Sequence, residues 1–433
     1  MTIAELRTKK NILIVGYGVE GKAVQVFLKK HVPNAHVKVV DQKDGKDYLV
    51  KQKEYDLAIK SPGVRPELIT IPYTTTTNIF FSNAKGKIIG VTGTKGKSTT
   101  TSLIYEMLKK SEKDVYLGGN IGKSPLEFVD TLNEHSWTVL ELSSFQLQDV
   151  TKSPHIAVLL MIAPEHLDYH KDEIEYVNAK RNILRFQASE DFAIVNRDYP
   201  ASNESDVHTE GKVFYVSRER ETENACFTFG GKVIIRKNGS DNEIIKIEEI
   251  KLPGKHNLEN VCAAVMAANL AGVAISDIQA ILKSFTGLAY RLEYVEEKYG
   301  IRFYNDSLAT IPEATIEALE TFEGQVGTLI AGGFDRGNDY TQLAEYLVKS
   351  SVETLILFPT TGEKIWQAVV AAGGEHKLKK FDVNSMHQAV FLASEETTTG
   401  KICLLSPAAA SFGGFKNYKD RGDQFKQEVL GLA

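Results

Sequence analysis

The chain has 433 residues, of which 42% are hydrophobic and 25% charged, and a net charge of −5. That length suggests about two to four domains with ample core, and the mild acidity excludes a global basic field for nucleic acid. Three well-separated cysteines, Cys226, Cys262 and Cys403, exclude a disulfide framework or cysteine-rich zinc site and fit a reducing compartment.

The first ten residues lack the apolar region of a signal peptide. The longest apolar run, 156–163, is too short to span a bilayer. A cytoplasmic protein with no membrane insertion is expected. The first strand is read at Asn11–Val15, followed by Gly16-Tyr-Gly18-Val-Glu-Gly21 at the start of an apolar helix. A second strand, His36–Val40, leads into Asp41, twenty residues after Gly21. This is the dinucleotide-binding fingerprint in its proper context: Gly16, Gly18 and Gly21 admit a pyrophosphate to the backbone, and Asp41 offers an acid to a ribose or base. The pattern does not separate NAD or FAD from another diphosphate, or from a structural turn. With a third strand at Tyr55–Ile59, a first domain is placed at 1–86.

A short β-branched run from Lys87 precedes Gly90-Val-Thr-Gly-Thr-Lys-Gly-Lys-Ser-Thr99, and Leu103, Ile104, Met107 and Leu108 then recur on one helical face. Strand, glycine loop and helix together form the setting of a phosphate-binding loop. Val91 stands where the common spacing requires glycine. The shorter variant comprises Gly93, Thr94, Lys95, Gly96, Lys97, Ser98 and Thr99. Lys97 would reach the outer phosphates of a nucleoside triphosphate and the Ser98 hydroxyl a magnesium ion. The plainer reading is a glycine turn with a surface lysine.

Buried strands follow at Thr138–Glu141, Ile156–Met161 and Phe192–Val195. Glu141, at a strand end, suits magnesium or is simply a polar terminus. Asn120, in Gly118–Gly122, lies in a loop tight enough to bring its amide near a ligand, and turn chemistry explains it as well. His166 and His170 are spaced i, i+4 beside Glu165 and Asp168, so one imidazole is a candidate metal ligand. Lys180 reads by pattern alone as a solvated lysine. Alternating runs within 208–252, at Lys212–Val216 and Gly231–Arg236, predict an antiparallel insertion, and a helix over 257–270 closes a central domain placed at 87–288.

A third domain, 289–433, offers strands at Ile301–Asn305, Val326–Ala331, Thr354–Phe358 and Ile402–Leu405 with helices between them. Thr310 and Glu313 have the spacing of a capping box, with Pro312 in the first turn; Asp306 has no such local explanation. Asp335 and Arg336 follow one strand, and the polar stretch 406–423 follows the last. Three polar strand-end loops in one domain predict a binding face.

At these residues the chain resembles the Mur ligase family. The matching pieces are 16–21, 92–99, 118–122, 141–147, Glu165-His166, Lys180, 254–257, 305–310, 332–339 and 404–423. Glu-Leu-Ser-Ser-Phe-Gln-Leu and Leu-Leu-Ser-Pro-Ala-x-Ala-Ser-Phe are similar to phrases of its glutamate-adding branch. The resemblance implies an α/β protein of three domains: an N-terminal Rossmann-like domain, a central P-loop ATPase-like domain, and a C-terminal Rossmann-like domain. It implies an ATP- and Mg2+-dependent ligase of peptidoglycan precursor synthesis, acting as a monomer on UDP-N-acetylmuramoyl-L-alanine and glutamate.

The same resemblance implies residue roles. The fingerprint and Asn120 would hold the UDP substrate, and Lys97 the γ-phosphate. Ser98 and Glu141 would hold one magnesium, and His166 with a carbamylated Lys180 a second. Asn257 and Asn260 match adenine-side positions, Arg291 and Asp306 residues that hold ATP, and Thr310, Ser411 and Tyr418 the site of the incoming amino acid. Leu308 stands where the family supplies a lysine, Arg336 where it supplies another, and Lys95 where asparagine is usual. An ammonium and a planar guanidinium fork are not equivalent donors, so the glutamate enantiomer stays open. A folylpolyglutamate synthetase-like ligase lacks the N-terminal fingerprint domain, and a nucleotide switch has no need of the three distal loops.

Overall fold

The computed structural model describes every residue except Pro164, 166–168, Pro253, His256, Glu323 and Ala433. The chain folds into two compact units, 1–285 and 286–433. Among the described residues no helix is long and apolar enough to cross a membrane.

The first unit contains two sheets. The smaller has β1 (Asn11–Val15), β2 (His36–Val40), β3 (Leu57–Lys60) and β4 (Tyr73–Thr75), all parallel, in the order β2-β1-β3-β4. Ile12 and Ile14 of β1 belong to the core cluster that includes Val24, Phe27 and Leu28 of the helix Val19–His31. Leu13 and Val15 form a second cluster with Ala58 and Ile69. Burial on both faces explains the unbroken apolar run. Strand order reverses at β1, which has β2 on one side and β3 on the other, so a ligand crevice opens at the carboxyl ends of β1 and β3. The fingerprint starts there.

The larger sheet has β5 (Lys87–Thr92), β6 (Val115–Gly119), β7 (Trp137–Glu141), β8 (Ile156–Leu159), β9 (Phe192–Asn196), β10 (Lys212–Ser217), β11 (Ala225–Phe229), β12 (Lys232–Lys237) and β13 (Ser240–Lys246). Their order is β13-β12-β11-β10-β9-β8-β5-β7-β6. The antiparallel insertion expected from 208 is shorter than the sequence pattern suggests. β10 is parallel to both β9 and β11, and only the pairs β11–β12 and β12–β13 are antiparallel. A crossover through the short helix Pro200–Asn203 returns the chain in parallel to β9. β10 runs from an exposed first residue through three half-buried ones to two buried at its end, so its residue pattern does not report the direction in which it pairs. Tight turns at Gly230-Gly231 and Asn238-Gly239, all four residues with positive φ, make the two true hairpins. Beside this sheet, every residue of the helix Asn257–Leu270 from Glu259 to Ala268 is buried, as expected of a helix apolar nearly all round.

The two sheets of this unit are fastened by polar contacts. Lys60 Nζ pairs with Asp149 Oδ2 at 2.8 Å, and the Tyr73 hydroxyl donates to Asp149 Oδ1 at 3.0 Å. Asn78 donates to the Asp149 carbonyl and accepts from the Thr151 N–H.

The second unit contains β14 (Glu293–Lys298), β15 (Ile301–Asn305), β16 (Val326–Gly332), β17 (Thr354–Phe358), β18 (Lys379–Asp382) and β19 (Ile402–Leu405), in the order β14-β15-β19-β16-β17-β18. Only β14 is antiparallel to its neighbour. The carboxyl ends of β15, β19 and β16 therefore lie side by side, and the three polar loops share one edge. The expected capping box at Thr310 does not form. Ile311 is the N-cap, with no side-chain cap bond, and Pro312 opens the helix. The residue before a proline is pushed to extended backbone, and Ile311 is extended (φ −136°, ψ 153°), so the helix begins too late for Thr310 to cap it.

Candidate active site

The phosphate loop joins β5 to the helix Lys97–Lys110 and is pinned from several sides. The Thr94 N–H donates to the Met161 carbonyl at 2.6 Å. The Thr94 hydroxyl donates to the Ala163 carbonyl at 2.9 Å, accepts from the Ala163 N–H at 3.0 Å, and lies 2.9 Å from the Tyr176 hydroxyl. A Cβ on Gly93 would stand 2.7 Å from Leu160 Cβ. Gly96 has φ +83°, and a Cβ there would meet Asn260 Oδ1 at 2.0 Å. Only glycine fits that point. Ser98 is buried in the first turn of the helix, whereas Lys95 is exposed.

Two lysines meet at this loop. Lys97 Nζ donates to the carbonyls of Gly93 (3.0 Å) and Thr94 (2.8 Å). Lys180 Nζ donates to the same Gly93 carbonyl at 2.8 Å and lies 4.7 Å from the centre of the Tyr176 ring. Lys180 is only 2% exposed, so it is not the solvated lysine its local pattern suggests. Burial and the neighbouring Lys97 charge push its pKa well below the ordinary lysine value, with Glu165 and Glu141 opposing.

Glu141 ends β7, which pairs with β5 in the register Val91 to Glu141. The carboxylate is 1% exposed. Its Oε1 accepts from Asn120 Nδ2 at 3.0 Å, while its Oε2 is buried with no hydrogen-bond partner. The Asn120 N–H also donates to the Glu141 carbonyl at 2.9 Å, so this loop asparagine orients the carboxylate. An orphaned carboxylate oxygen beside a phosphate loop fits a hard divalent cation. His166 and Asp168 lie outside the described residues. His170 is buried, with Nε2 3.1 Å from the Ser144 hydroxyl and its ring stacked on Phe145.

On the helix Asn257–Leu270, Asn260 Nδ2 donates to Asn257 Oδ1 at 2.9 Å, and Asn260 Oδ1 accepts from the Thr100 hydroxyl at 3.3 Å. Both asparagines are thereby held at the phosphate-loop end of the helix Lys97–Lys110. In the fingerprint, Gly16 has φ +89° and a Cβ on Gly21 would lie 2.1 Å from the Gly16 carbonyl, whereas Gly18 is the N-cap of the following helix. Asp41 accepts from the N–H groups of Tyr17 (2.6 Å) and Lys43 (3.1 Å), which hold its carboxyl below the usual range. Its side chain braces the glycine turn.

Sequence reasoning passed over Glu20 and Gln146. Gln146 Nε2 donates to Glu20 Oε1 at 2.7 Å, joining the fingerprint helix to the segment after Glu141. Burial pushes the Glu20 carboxyl up, against hydrogen bonds from Gln146 and Thr76 and the Lys60 charge. Glutamate inside the fingerprint was visible in the sequence; its partner, 126 residues away, was not.

In the second unit Asp306 is buried and accepts from the Ser406 hydroxyl at 2.8 Å and the Leu292 N–H at 3.2 Å. Burial pushes its pKa up to about 7, against Ser406 and the Arg291 charge. Arg336 is exposed, its guanidinium 5.3 Å from the centre of the Phe412 ring. Ser411 is buried, Thr310 half-buried, and Tyr418 starts the helix Tyr418–Leu430 with its ring edge-on to Tyr290.

Arg421, another residue the sequence did not mark, is fully buried. It donates to the Ser307 hydroxyl (3.0 Å), the Ser307 carbonyl (2.9 Å) and the Ala409 carbonyl (3.1 Å). One guanidinium thus braces the loops after β15 and β19. Burial lowers its pKa to about 10.

Known proteins share both sequence and fold with this chain. The model described as Mur ligase middle domain matches residues 91–268, and that described as Mur ligase, glutamate ligase domain, matches 290–409. Three relatives carry the name UDP-N-acetylmuramoylalanine--D-glutamate ligase. The protein from Symbiobacterium thermophilum is 39% identical over 90% of this chain and 87% of its own. That from Geobacillus kaustophilus is 41% identical over 87% and 83%, and that from Bacillus mycoides 35% over 99% of each. Among solved structures, MurF from Acinetobacter baumannii aligns with a TM-score of 0.58 at 17% identity, covering 81% of this chain and 78% of that one. MurF from Thermotoga maritima in complex with ADP aligns with a TM-score of 0.54 at 18% identity, covering 99% and 100%. At such identities the structural likeness concerns the fold alone. By sequence over most of its length, the chain belongs to the Mur ligase family.

Proposed function

We propose that the protein is an ATP-dependent ligase that joins glutamate to UDP-N-acetylmuramoyl-L-alanine in peptidoglycan precursor synthesis. The single observation that carries this reading is the convergence of Lys97 and Lys180 on the Gly93 carbonyl, with Glu141 on the adjacent strand. The relatives' names supply the substrates, with D-glutamate as the amino acid. We further propose domains at 1–86, 87–288 and 289–433, for the UDP substrate, ATP and the amino acid respectively, in a cytoplasmic monomer.

In this reading the terminal carboxylate of the UDP substrate attacks the γ-phosphorus of ATP, and ADP leaves. The acyl phosphate is then attacked by the glutamate amine. The amine loses its proton, and the tetrahedral intermediate collapses to the amide and inorganic phosphate. Lys97 neutralises charge on the transferred phosphoryl group, and the loop N–H groups orient it. Ser98 and Glu141 would hold one Mg2+, and His166 with a carbamylated Lys180 a second. Bound there, Mg2+ supplies neutralisation of phosphate charge. Asn120 keeps the Glu141 carboxylate aimed. Asn257, Asn260, Arg291 and Asp306 serve ATP, and Thr310, Arg336, Ser411 and Tyr418 the amino acid.

The test is phosphate release from ATP and Mg2+ with UDP-N-acetylmuramoyl-L-alanine, comparing D- with L-glutamate. Release that requires both the UDP substrate and D-glutamate is expected. Release stimulated by neither enantiomer overturns the assignment.

A further inference from the structure

The fingerprint and the Glu141 strand are expected to serve different ligands, yet polar contacts run from the fingerprint helix to Ser143, two residues beyond Glu141. Glu20 lies between Gly18 and Gly21, in the first turn of the helix whose N-terminus the diphosphate would approach. Its Oε1 accepts from Gln146 Nε2 at 2.7 Å. The other end of the Gln146 amide, Oε1, accepts from the Ser143 N–H at 3.0 Å, and the Ser143 hydroxyl accepts from the Gln146 N–H at 3.2 Å. Ser143 is two residues beyond Glu141, and the intervening Leu142 N–H is bonded to the Val91 carbonyl of β5. Gln146 is mostly buried, so water is a poor substitute for either of its partners.

We propose that Glu20 is a positioning residue that couples the two nucleotide sites through Gln146 and Ser143. A diphosphate on the fingerprint fixes the helix N-terminus and with it Glu20. Glu20 fixes Gln146, and the reciprocal cap of Gln146 on Ser143 fixes the chain leaving Glu141. Each nucleotide therefore tightens the other, and the effect is reciprocal by linkage. The inference rests on the proposed function, in which the fingerprint holds the UDP substrate.

The test is calorimetric titration of the full chain with UDP-N-acetylmuramoyl-L-alanine, with and without saturating Mg2+ and ADP, in the absence of glutamate so that no turnover occurs. The expected result is a dissociation constant about fivefold lower with ADP present. Glu20→Ala and Gln146→Ala should each make the two constants equal. Glu20→Gln, which keeps an oxygen facing the Gln146 amide, should preserve the difference. Equal constants in the wild type, or an undiminished difference in both alanine variants, overturns the coupling. A wild type that does not bind the UDP substrate overturns the proposed function instead.

Discussion

Lys97 and Lys180 donate to one and the same acceptor, the carbonyl oxygen of Gly93, at 3.0 and 2.8 Å. Burial first, and the neighbouring Lys97 charge second, push the Lys180 pKa well below the ordinary lysine value, with Glu165 and Glu141 opposing. The loop thereby gathers two amines of unlike setting, Lys180 buried and Lys97 half-buried.

Lys97→Ala should lower phosphate release by about a hundredfold or more, the scale seen when a group that stabilises developing charge is removed. Near-normal turnover would sink the assignment of the loop. Melting temperature should change little, because Lys97 is not fully buried.

Lys180→Met should separate fold from function. It removes an amine that burial disfavours in its charged form and keeps the volume of the chain, so melting temperature should hold or rise while turnover is lost. The pH dependence follows in sign. The folded pKa lies below the unfolded one, so the wild type loses stability as pH falls through the interval between them. Calorimetry across alkaline to neutral pH should show this slope reduced in the variant.

Gly96→Ala forces a side chain into left-handed backbone, at about 1 kcal/mol, and drives its Cβ against Asn260. Nucleotide affinity should fall more than stability, because the clash lies at the loop. Adding Asn260→Ala removes the clash and should recover part of the urea-unfolding free energy. Purely additive losses would contradict the contact.

Asp306 gives a pH signature of opposite origin. Its folded pKa of about 7 lies above the ordinary aspartate value. The folded state therefore binds the extra proton between about pH 4 and pH 7, and stability is lost as pH rises through that window. In Asp306→Asn this component should vanish. The stability difference between variant and wild type should shift in the variant's favour from pH 5 to pH 8, as read by urea unfolding. A pH-independent difference would refute the burial argument.

Arg421→Met should destabilise the chain by several kcal/mol, because two carbonyls and a hydroxyl lose their donor at about 1–3 kcal/mol each when buried. Arg421→Lys should rescue little, since one ammonium cannot reproduce the planar fork. With the loops after β15 and β19 unbraced, KM for glutamate should rise more than KM for ATP in any variant that still folds.

The layered α/β plan was legible because the buried strands carry unbroken apolar runs, and the helix Asn257–Leu270 was read with its observed bounds. β10 misled because an edge-to-core gradient of burial along the strand, exposed at Lys212 and buried at Val216 and Ser217, leaves its residue pattern silent on pairing direction. The phosphate loop was legible because its glycines and lysine are contiguous. The clamps that set its geometry were not: Tyr176 holds Thr94 from 82 residues away, and Asn120 holds Glu141 from the loop after β6. In the second unit, the Arg421 brace on Ser307, 114 residues away, was equally hidden. Thr310 showed the converse, a local spacing that Pro312 overrides.

The seam at Asp149 limits how the chain can be shuffled. Lys60 is sealed from solvent, and its counter-charge is supplied from beyond β7; Tyr73 and Asn78 lean on the same residue. Grafting 1–86 onto a relative's remaining chain would strand a buried ammonium unless 146–151 travelled with it. Viable recombinants should therefore break near residue 285, where the first unit ends, rather than at the linker near Gly86, so that the two sheets are inherited as one piece.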